Sequence, residues 1–301
     1  MENGNTMKFD VVIGNPPYNP PTESTGGAGG RTNLWKKFVE RAIDFQLRDG
    51  GILCIIHPPT WRAPFSNLKK SKVSSLWKKI TVENKLLFLQ MLKQPFPGVG
   101  TRADFYVLQH EPSPPKFITT IVDINGVKQS VCLQDIDFLP NEDFDFVYSM
   151  TAPKPDDCLK VIFNSTLYDP RAKHVSKTES IDFKFPILHA TNKAGNRFFW
   201  ANTKRLGHYG IRKLMFGDSG INNVLFDTDG SYACSNHCIG IDVSHLPDED
   251  AIQLKDWLTG EDCNRIVKAT LLSSFGLSAD IFTKIRKDCW KQNKEINDKD
   301  S

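Results

Sequence analysis

Residues 9 to 21 read FDVVIGNPPYNPP, and four consecutive positions in that stretch have the means to do chemistry together. Asn15 carries a side-chain amide oxygen and Pro16 a backbone carbonyl, two hydrogen-bond acceptors side by side. Pro17 stiffens the loop that would aim them, and Tyr18 adds a flat ring. The five residues before Gly14 form a nearly continuous apolar run with β-branched Val11, Val12 and Ile13, which predicts a buried, interior strand of a parallel sheet. Proline cannot donate to a ladder, so Asn15 to Tyr18 must lie just past the carboxyl end of that strand. In open α/β sheets that edge is where ligands bind.

The elements that would hold this loop follow in order. A glycine-rich segment, ESTGGAGGRTN (23 to 33), precedes LWKKFVERAIDFQLRDGG, whose apolar residues Leu34, Trp35, Phe38, Val39, Ala42 and Ile43 recur at helical spacing. Thr32 or Asn33 can cap the start of that helix, and Gly50-Gly51 would stop it. ILCIIHPPTW then reads as a second strand ending in two prolines and an aromatic. Strand, loop, helix, strand makes a βαβ unit with both strand-end loops on one edge. Residues 66 to 81 predict a short surface helix. KLLFLQML and residues 103 to 109 predict two strands paired as an antiparallel hairpin through a turn at residues 97 to 100. HEPSPPK, residues 110 to 116, reads as a linker. Beyond it come short strands separated by Asn, Asp and Gly, then amphipathic helices near 251 to 258, 262 to 275 and 280 to 290. The expected architecture is therefore α/β: the second half of a doubly wound, Rossmann-like sheet over residues 1–110, a linker at 111–116, and a mixed α+β domain over 117–301.

Composition narrows the function classes. With 301 residues, 40% hydrophobic and 24% charged, the chain has the composition of a globular domain or two. No apolar run approaches the roughly 20 residues of a membrane span, and the first residues lack a signal peptide's basic and apolar regions, so the expectation is a cytoplasmic protein. Seven scattered cysteines do not form a secreted disulfide framework. Cys234, His237 and Cys238 are close enough to suggest zinc, yet no second ligand pair of comparable spacing exists, so core packing is expected and no metal. The net charge of +3 requires any nucleic-acid surface to be local. The best such patch is NKAGNRFFWANTKRLGHYGIRK, residues 192 to 213. There Lys193, Arg197, Lys204, Arg205, Arg212 and Lys213 alternate with Phe198, Phe199, Trp200 and Tyr209. Cations mixed with aromatics suit phosphate contact and base packing, while a solvated charged face over core aromatics is the plain alternative.

A strand followed by NPPY, then a helix and a strand ending in a proline-aromatic loop, resembles the adenine-specific DNA methyltransferases, in particular the restriction-modification methylases similar to the Taq enzyme. The match covers residues 7 to 110 closely and the remainder, as a specificity domain, only loosely. The resemblance implies methyl transfer from S-adenosylmethionine to the exocyclic amine of adenine in double-stranded DNA. That amine is a poor nucleophile, because its lone pair is delocalised into the ring. Acceptors for its two N–H groups, Asn15 and the Pro16 carbonyl, make chemical sense. The base must be flipped out and held between flat side chains. Tyr18 is one face, and Phe96 of QPFPGVGT matches the family's second. Trp61 lines the pocket or caps the sheet, and His57 reads as structural. The glycines at 26 to 30 follow NPPY instead of preceding it, so they suit a loop over DNA, with Arg31 available for phosphate, and not a cofactor loop.

That is the main departure from the family, whose cofactor loop and acidic residues lie upstream of NPPY. No cofactor ligand is assigned except the backbone around Asn15 to Pro17, and a second chain supplying the cofactor-binding half is one expectation. Two alternatives stay open: a catalytically inactive DNA-binding specificity module, and methylation of a protein glutamine or an RNA base. The long segment after the hairpin speaks against the last.

Overall fold

The computed structural model of the protein describes residues 7–18, 34–64, 75–96, 102–163, 167–272 and 276–291. It divides into two compact units with the boundary after Glu142.

The first unit is built on a six-stranded sheet. Its strands are β1 (Phe9–Gly14), β2 (Leu47–His57), β3 (Lys85–Leu92), β4 (Ala103–Gln109), β5 (Ile118–Val122) and β6 (Lys128–Cys132), in the spatial order β1-β2-β4-β3-β5-β6. β1 and β2 are parallel and connected through helix α1 (Leu34–Arg41), the βαβ unit that the hydrophobic pattern predicts. β4 runs antiparallel to both β2 and β3, and β5 is parallel to β3. The carboxyl ends of β1, β2 and β3 therefore share one edge with the start of β4. The short helix α2 (Ser75–Thr81) precedes β3 and buries Leu76, Trp77 and Ile80.

Three expectations change here. The helix after the glycine-rich segment does not run to Gly50-Gly51. After Arg41 it widens into a π turn at Ala42–Gln46, and β2 begins at Leu47, which is buried and paired with Phe9. Gly50 and Gly51 belong to the strand, where the register to β1 shifts. A Cβ on Gly51 would lie 2.9 Å from the Arg48 carbonyl and 3.1 Å from that of Phe9. Second, residues 110 to 116 do not separate two domains. The strand after them pairs with β3, so the first unit continues through the β5–β6 hairpin. Third, the burial expected of β1 is not supplied by the described residues: Val11 is 51% and Ile13 78% exposed and no described strand pairs with its outer side, which leaves open the edge where the interior-strand reading places a neighbour.

The second unit holds two four-stranded sheets and most of the remaining helices. Helix α3 (Phe144–Ser149) is followed by β7 (Val161–Ile162), β8 (Val175–Ser176), β9 (Phe185–Asn192) and β10 (Gly195–Ala201). Next come β11 (Lys213–Gly217), β12 (Leu225–Asp227), β13 (Ala233–Cys234) and β14 (Cys238–Asp242). The sheet orders are β13-β9-β10-β8 and β12-β11-β14-β7. Leu188, Met215, Cys234 and Cys238 pack together in the core, so these two cysteines sit where apolar packing puts them. Helix α4 (Asp248–Thr259) lies where the amphipathic pattern places it, and α5 (Glu261–Thr270) starts there but ends before the expected residue 275, with Leu271 already extended. The predicted helix at 280 to 290 is instead one turn, α6 (Ala279–Phe282), then turns around a two-residue bridge at Ile285 and Arg286, and a short 3-10 turn at Cys289–Lys291. Residues 284 to 286 bond to residues 150 to 159 there, as in Ala152 N–H to the Lys284 carbonyl at 2.9 Å and Leu159 N–H to that of Ile285 at 2.8 Å. Those tertiary backbone bonds replace the helical ones.

Candidate functional site

In the first unit, Gly14 ends β1 and the chain enters the loop of Asn15 to Tyr18 at the shared carboxyl edge. Asn15 is exposed and Pro16 buried, so the second residue anchors a loop whose first residue faces outward. Tyr18 is half-buried, and burial raises its hydroxyl above the ordinary phenol value, so the group stays neutral. That hydroxyl is shielded from solvent and has no hydrogen-bond partner among the described residues. Phe96 stands four residues beyond β3 on the same edge, half-buried and outside any strand. Arg31 and the turn at 97 to 100 lie outside the described residues.

The ends of the neighbouring strands are held rigidly. His57, the last residue of β2, is fully buried, with Nε2 3.0 Å from the Tyr106 hydroxyl and Nδ1 2.9 Å from the Pro58 carbonyl oxygen. Its ring stacks on Trp35 of α1 at 4.3 Å. Burial pulls its pKa down to about 4, so the ring is neutral near pH 7 and structural, as expected. Trp61 is also core and not pocket lining: its Nε1 donates to Asp104 at 2.8 Å and its ring packs on Trp77. Beside it Arg62 and Asp104 form a buried ion pair, Nε to Oδ2 at 2.7 Å and Nη2 to Oδ1 at 3.1 Å. Arg62 also donates to the Leu139 carbonyl and to Asn141 Oδ1. This network ties the Pro-Pro-Thr-Trp loop to the first turn of β4 and fixes the edge on which Asn15 stands. A signal for it exists in the sequence, since a carboxylate inside the apolar strand ADFYVLQ needs a partner.

In the second unit the six cations of residues 192 to 213 separate. Lys193, Arg197, Lys204 and Arg205 are exposed. Lys204 lies over the rings of Phe185 and Tyr209, at 5.2 and 5.5 Å. Arg212 is committed to its own fold, donating to the carbonyls of Val243 and Leu246 and to Asp248. Lys213 is 0% exposed and bonds Asp227 at 2.5 Å and the Ile211 carbonyl at 3.0 Å. It cannot touch DNA, and its place in the expected interface is withdrawn. β11 is buried along its whole length, so strand alternation does not bring it to the surface.

A cleft of about 800 Å³ opens beside the β9–β10 hairpin, lined by Arg197, Phe198 and Phe199 together with residues not singled out in the sequence. These are Asp169, Pro170, Arg171, Lys177, His189 and Asn236, and His237 of the zinc reading lines the cleft as well. His189 stacks on Phe199 at 4.0 Å, and burial first, then the neighbouring Arg197, His237 and Lys177, pulls its pKa down to about 4. Arg171 pairs with Asp169, holding that carboxyl far below the usual range, and His237 Nδ1 lies 3.0 Å from Asp218. The contributing residues come from four separate segments, which is why no local motif announced them.

Residues 1–89 match the family model of the Eco57I restriction-modification methylases. The modification methylase CviBIII of Paramecium bursaria Chlorella virus NC1A is 30% identical over 115 residues, 36% of this chain and 29% of that protein. An uncharacterized adenine-specific methylase of Mycoplasma pneumoniae is 36% identical over 66 residues, 22% of this chain and 15% of that protein. Among solved structures, the type IIL restriction-modification enzyme MmeI in complex with DNA aligns over 91% of this chain and 46% of its own, with a TM-score of 0.51 and 11% identity. The family match lies within the first unit, and the chain spans less than a third of the curated relatives it matches. The MmeI alignment shows a shared fold.

Proposed function

We propose that this protein forms the substrate-loop and recognition parts of an adenine-specific DNA methyltransferase that uses S-adenosylmethionine, as part of a restriction-modification system. The observation that carries the reading is the position of Asn15 to Tyr18. An outward-facing amide stands on an anchored proline at the carboxyl edge of a parallel strand, inside the segment similar to restriction-modification methylases. The names of two relatives, a modification methylase and an adenine-specific methylase, support the reaction and the base, and the DNA complex of MmeI supports the partner.

In this reading Asn15 Oδ1 and the Pro16 carbonyl accept the two N–H groups of the adenine amine. They favour the positive charge that develops on nitrogen as its lone pair takes the methyl group. Tyr18 and Phe96 hold the flipped ring. S-adenosylmethionine supplies the methyl group, but the described residues do not by themselves fit that cofactor. β2 ends in His57-Pro58-Pro59, with no acidic residue where a ribose would need one, and β1 is not followed by a described glycine turn into a helix. We therefore assign the cofactor to strands that pair along the open edge of β1, whether from a longer chain or from a second one.

Tritiated methyl transfer to DNA by the complete assembly tests the loop. Asn15→Ala should lower turnover by about a hundredfold or more, the scale of losing one preorganised electrostatic contact. DNA affinity should hardly change. Near-normal turnover would remove Asn15 from the reaction.

A further inference from the structure

The six-stranded sheet of the first unit has two unequal faces. Residues paired across strands share a face, and register puts Val12, Leu53 and Leu108 on one side with Ile55 and Tyr106 beside them, all buried except Val12. Helices cover that side. Trp35 of α1 stacks on His57, two residues beyond Ile55, and Trp77 of α2 packs on Trp61, whose ring lies 5.9 Å from that of Tyr106. The other face carries Ile13, Cys54, Val107 and Phe88 in one row and Ile56 and Phe105 in the next. None of these is buried. The rows turn polar towards the far end of the sheet, at Thr120 on β5 and at Ser130 and Lys128 on β6. An apolar face on a parallel strand pair normally has a helical layer over it.

The hand of the crossovers indicates what that layer is. From β1 the chain moves inward to β2 with α1 on the sealed face. Crossovers between parallel strands share one hand, so strands that wind outward from the other side of β1 must carry their helices on the opposite face. A ligand crevice forms where the winding reverses. The function proposed above sets such a crevice at the carboxyl end of β1 and the cofactor on strands along its open edge. Exposed Val11 and Ile13, in register with Ile52 and Cys54, make the open face continuous with that edge.

We propose that the open face over β1, β2 and β4 is the docking surface for the crossover helices of the cofactor-binding strands, and that the β5–β6 end stays uncovered. The assignment rests on the function proposed above and extends it. The partner is then an α/β polypeptide with an amphipathic helix, and a lone strand added to the edge of β1 does not suffice.

Two cysteines report on this face. Cys54 stands at its apolar end and Cys132, in register with Ile118 of β5, at its polar end, while the other five are buried. Maleimide labelling of the 301-residue protein should modify both. In the complete assembly that transfers tritiated methyl groups to DNA, Cys54 should react at least about tenfold more slowly and Cys132 at its former rate. Val107→Glu should change the urea unfolding of the 301-residue protein little and abolish assembly, whereas Val107→Leu should keep it. A Cys54 that stays reactive in an active assembly overturns the docking surface and leaves the proposed function standing. Equal protection of Cys132 overturns the limit at β5. Protection of Cys54 in the 301-residue protein alone also overturns the proposal: independent of concentration, it means that the chain covers its own face, and rising with concentration, that a second copy does. If no assembly transfers methyl groups, the proposed function falls, and the docking surface with it.

Discussion

Asn15 and His57 end adjacent parallel strands, yet their surroundings make them opposites. Asn15 is exposed on a proline-stiffened loop, where its amide is free to meet a ligand. His57 is enclosed by Trp35, Tyr106 and the Pro58 carbonyl, and burial holds its pKa near 4 against an ordinary 6.5. The consequence for stability has a definite sign. Above pH 6.5 the ring is neutral in both folded and unfolded chains, and the full stability is present. As pH falls from 6.5 towards about 4, only the unfolded chain takes up the proton, so stability is lost, by roughly 3 kcal/mol across the window. Urea unfolding of the natural protein and of His57→Gln, followed down that window, isolates this contribution. The variant starts less stable, because a buried contact is altered, but should lose less on acidification. Parallel pH dependences would mean that His57 is solvated in the folded protein.

Two elements show how strand position overrides composition. β11 begins with Lys213, which the alternation of cations and aromatics puts on a DNA-facing surface, yet the strand lies between β12 and β14 and is buried throughout. The lysine is retained in the interior by Asp227, which also accepts from the backbone N–H groups of Ser231 and Tyr232. Lys213→Met alone would strand a buried carboxylate and should cost about 3–5 kcal/mol in the stability of the second unit. Adding Asp227→Asn removes the charge and keeps a carbonyl for one of those two N–H groups, which bond different carboxylate oxygens, and should recover part of the loss. The folded double variant should bind DNA like the natural protein. A selective loss of DNA affinity in it would return Lys213 to the interface. β1 shows the reverse case, since its apolar residues predict burial and the sheet leaves them at an edge. An edge that no described strand pairs, beside exposed Val11 and Ile13, is a template for another strand.

At the scale of the molecule, that open edge and the missing acidic residue after β2 bear on the same question. If the cofactor is held by strands that pair along β1, the 301 residues by themselves should bind S-adenosylmethionine weakly or not at all and transfer no methyl group. Supplying a polypeptide with a glycine-rich cofactor loop that completes the sheet should restore both. Titration calorimetry on the 301-residue protein is the direct measurement. Micromolar binding would place the cofactor site within this chain and overturn the assignment to the β1 edge.

The sequence by itself determined the βαβ unit, the antiparallel pairing of β3 with β4 and the loop of Asn15 to Tyr18 at a strand end. Each of these is written in local periodicity or in the backbone limits of proline, which act over a few residues whatever surrounds them. Residues 251 to 258 were legible as part of a helix for the same reason. Tertiary structure alone decided the rest. It joined β5 and β6 to the first sheet and converted residues 283 to 288 from predicted helix to two turns flanking a short bridge at Ile285 and Arg286, bonded to residues 150 to 159. It also sorted the cations of residues 192 to 213 into exposed Arg197, self-bonded Arg212 and buried Lys213. The cleft that brings Lys177, His189, Arg197 and Asn236 together spans four segments distant in sequence. Burial and ion pairing are properties of what packs around a side chain, and neighbours along the chain do not specify them.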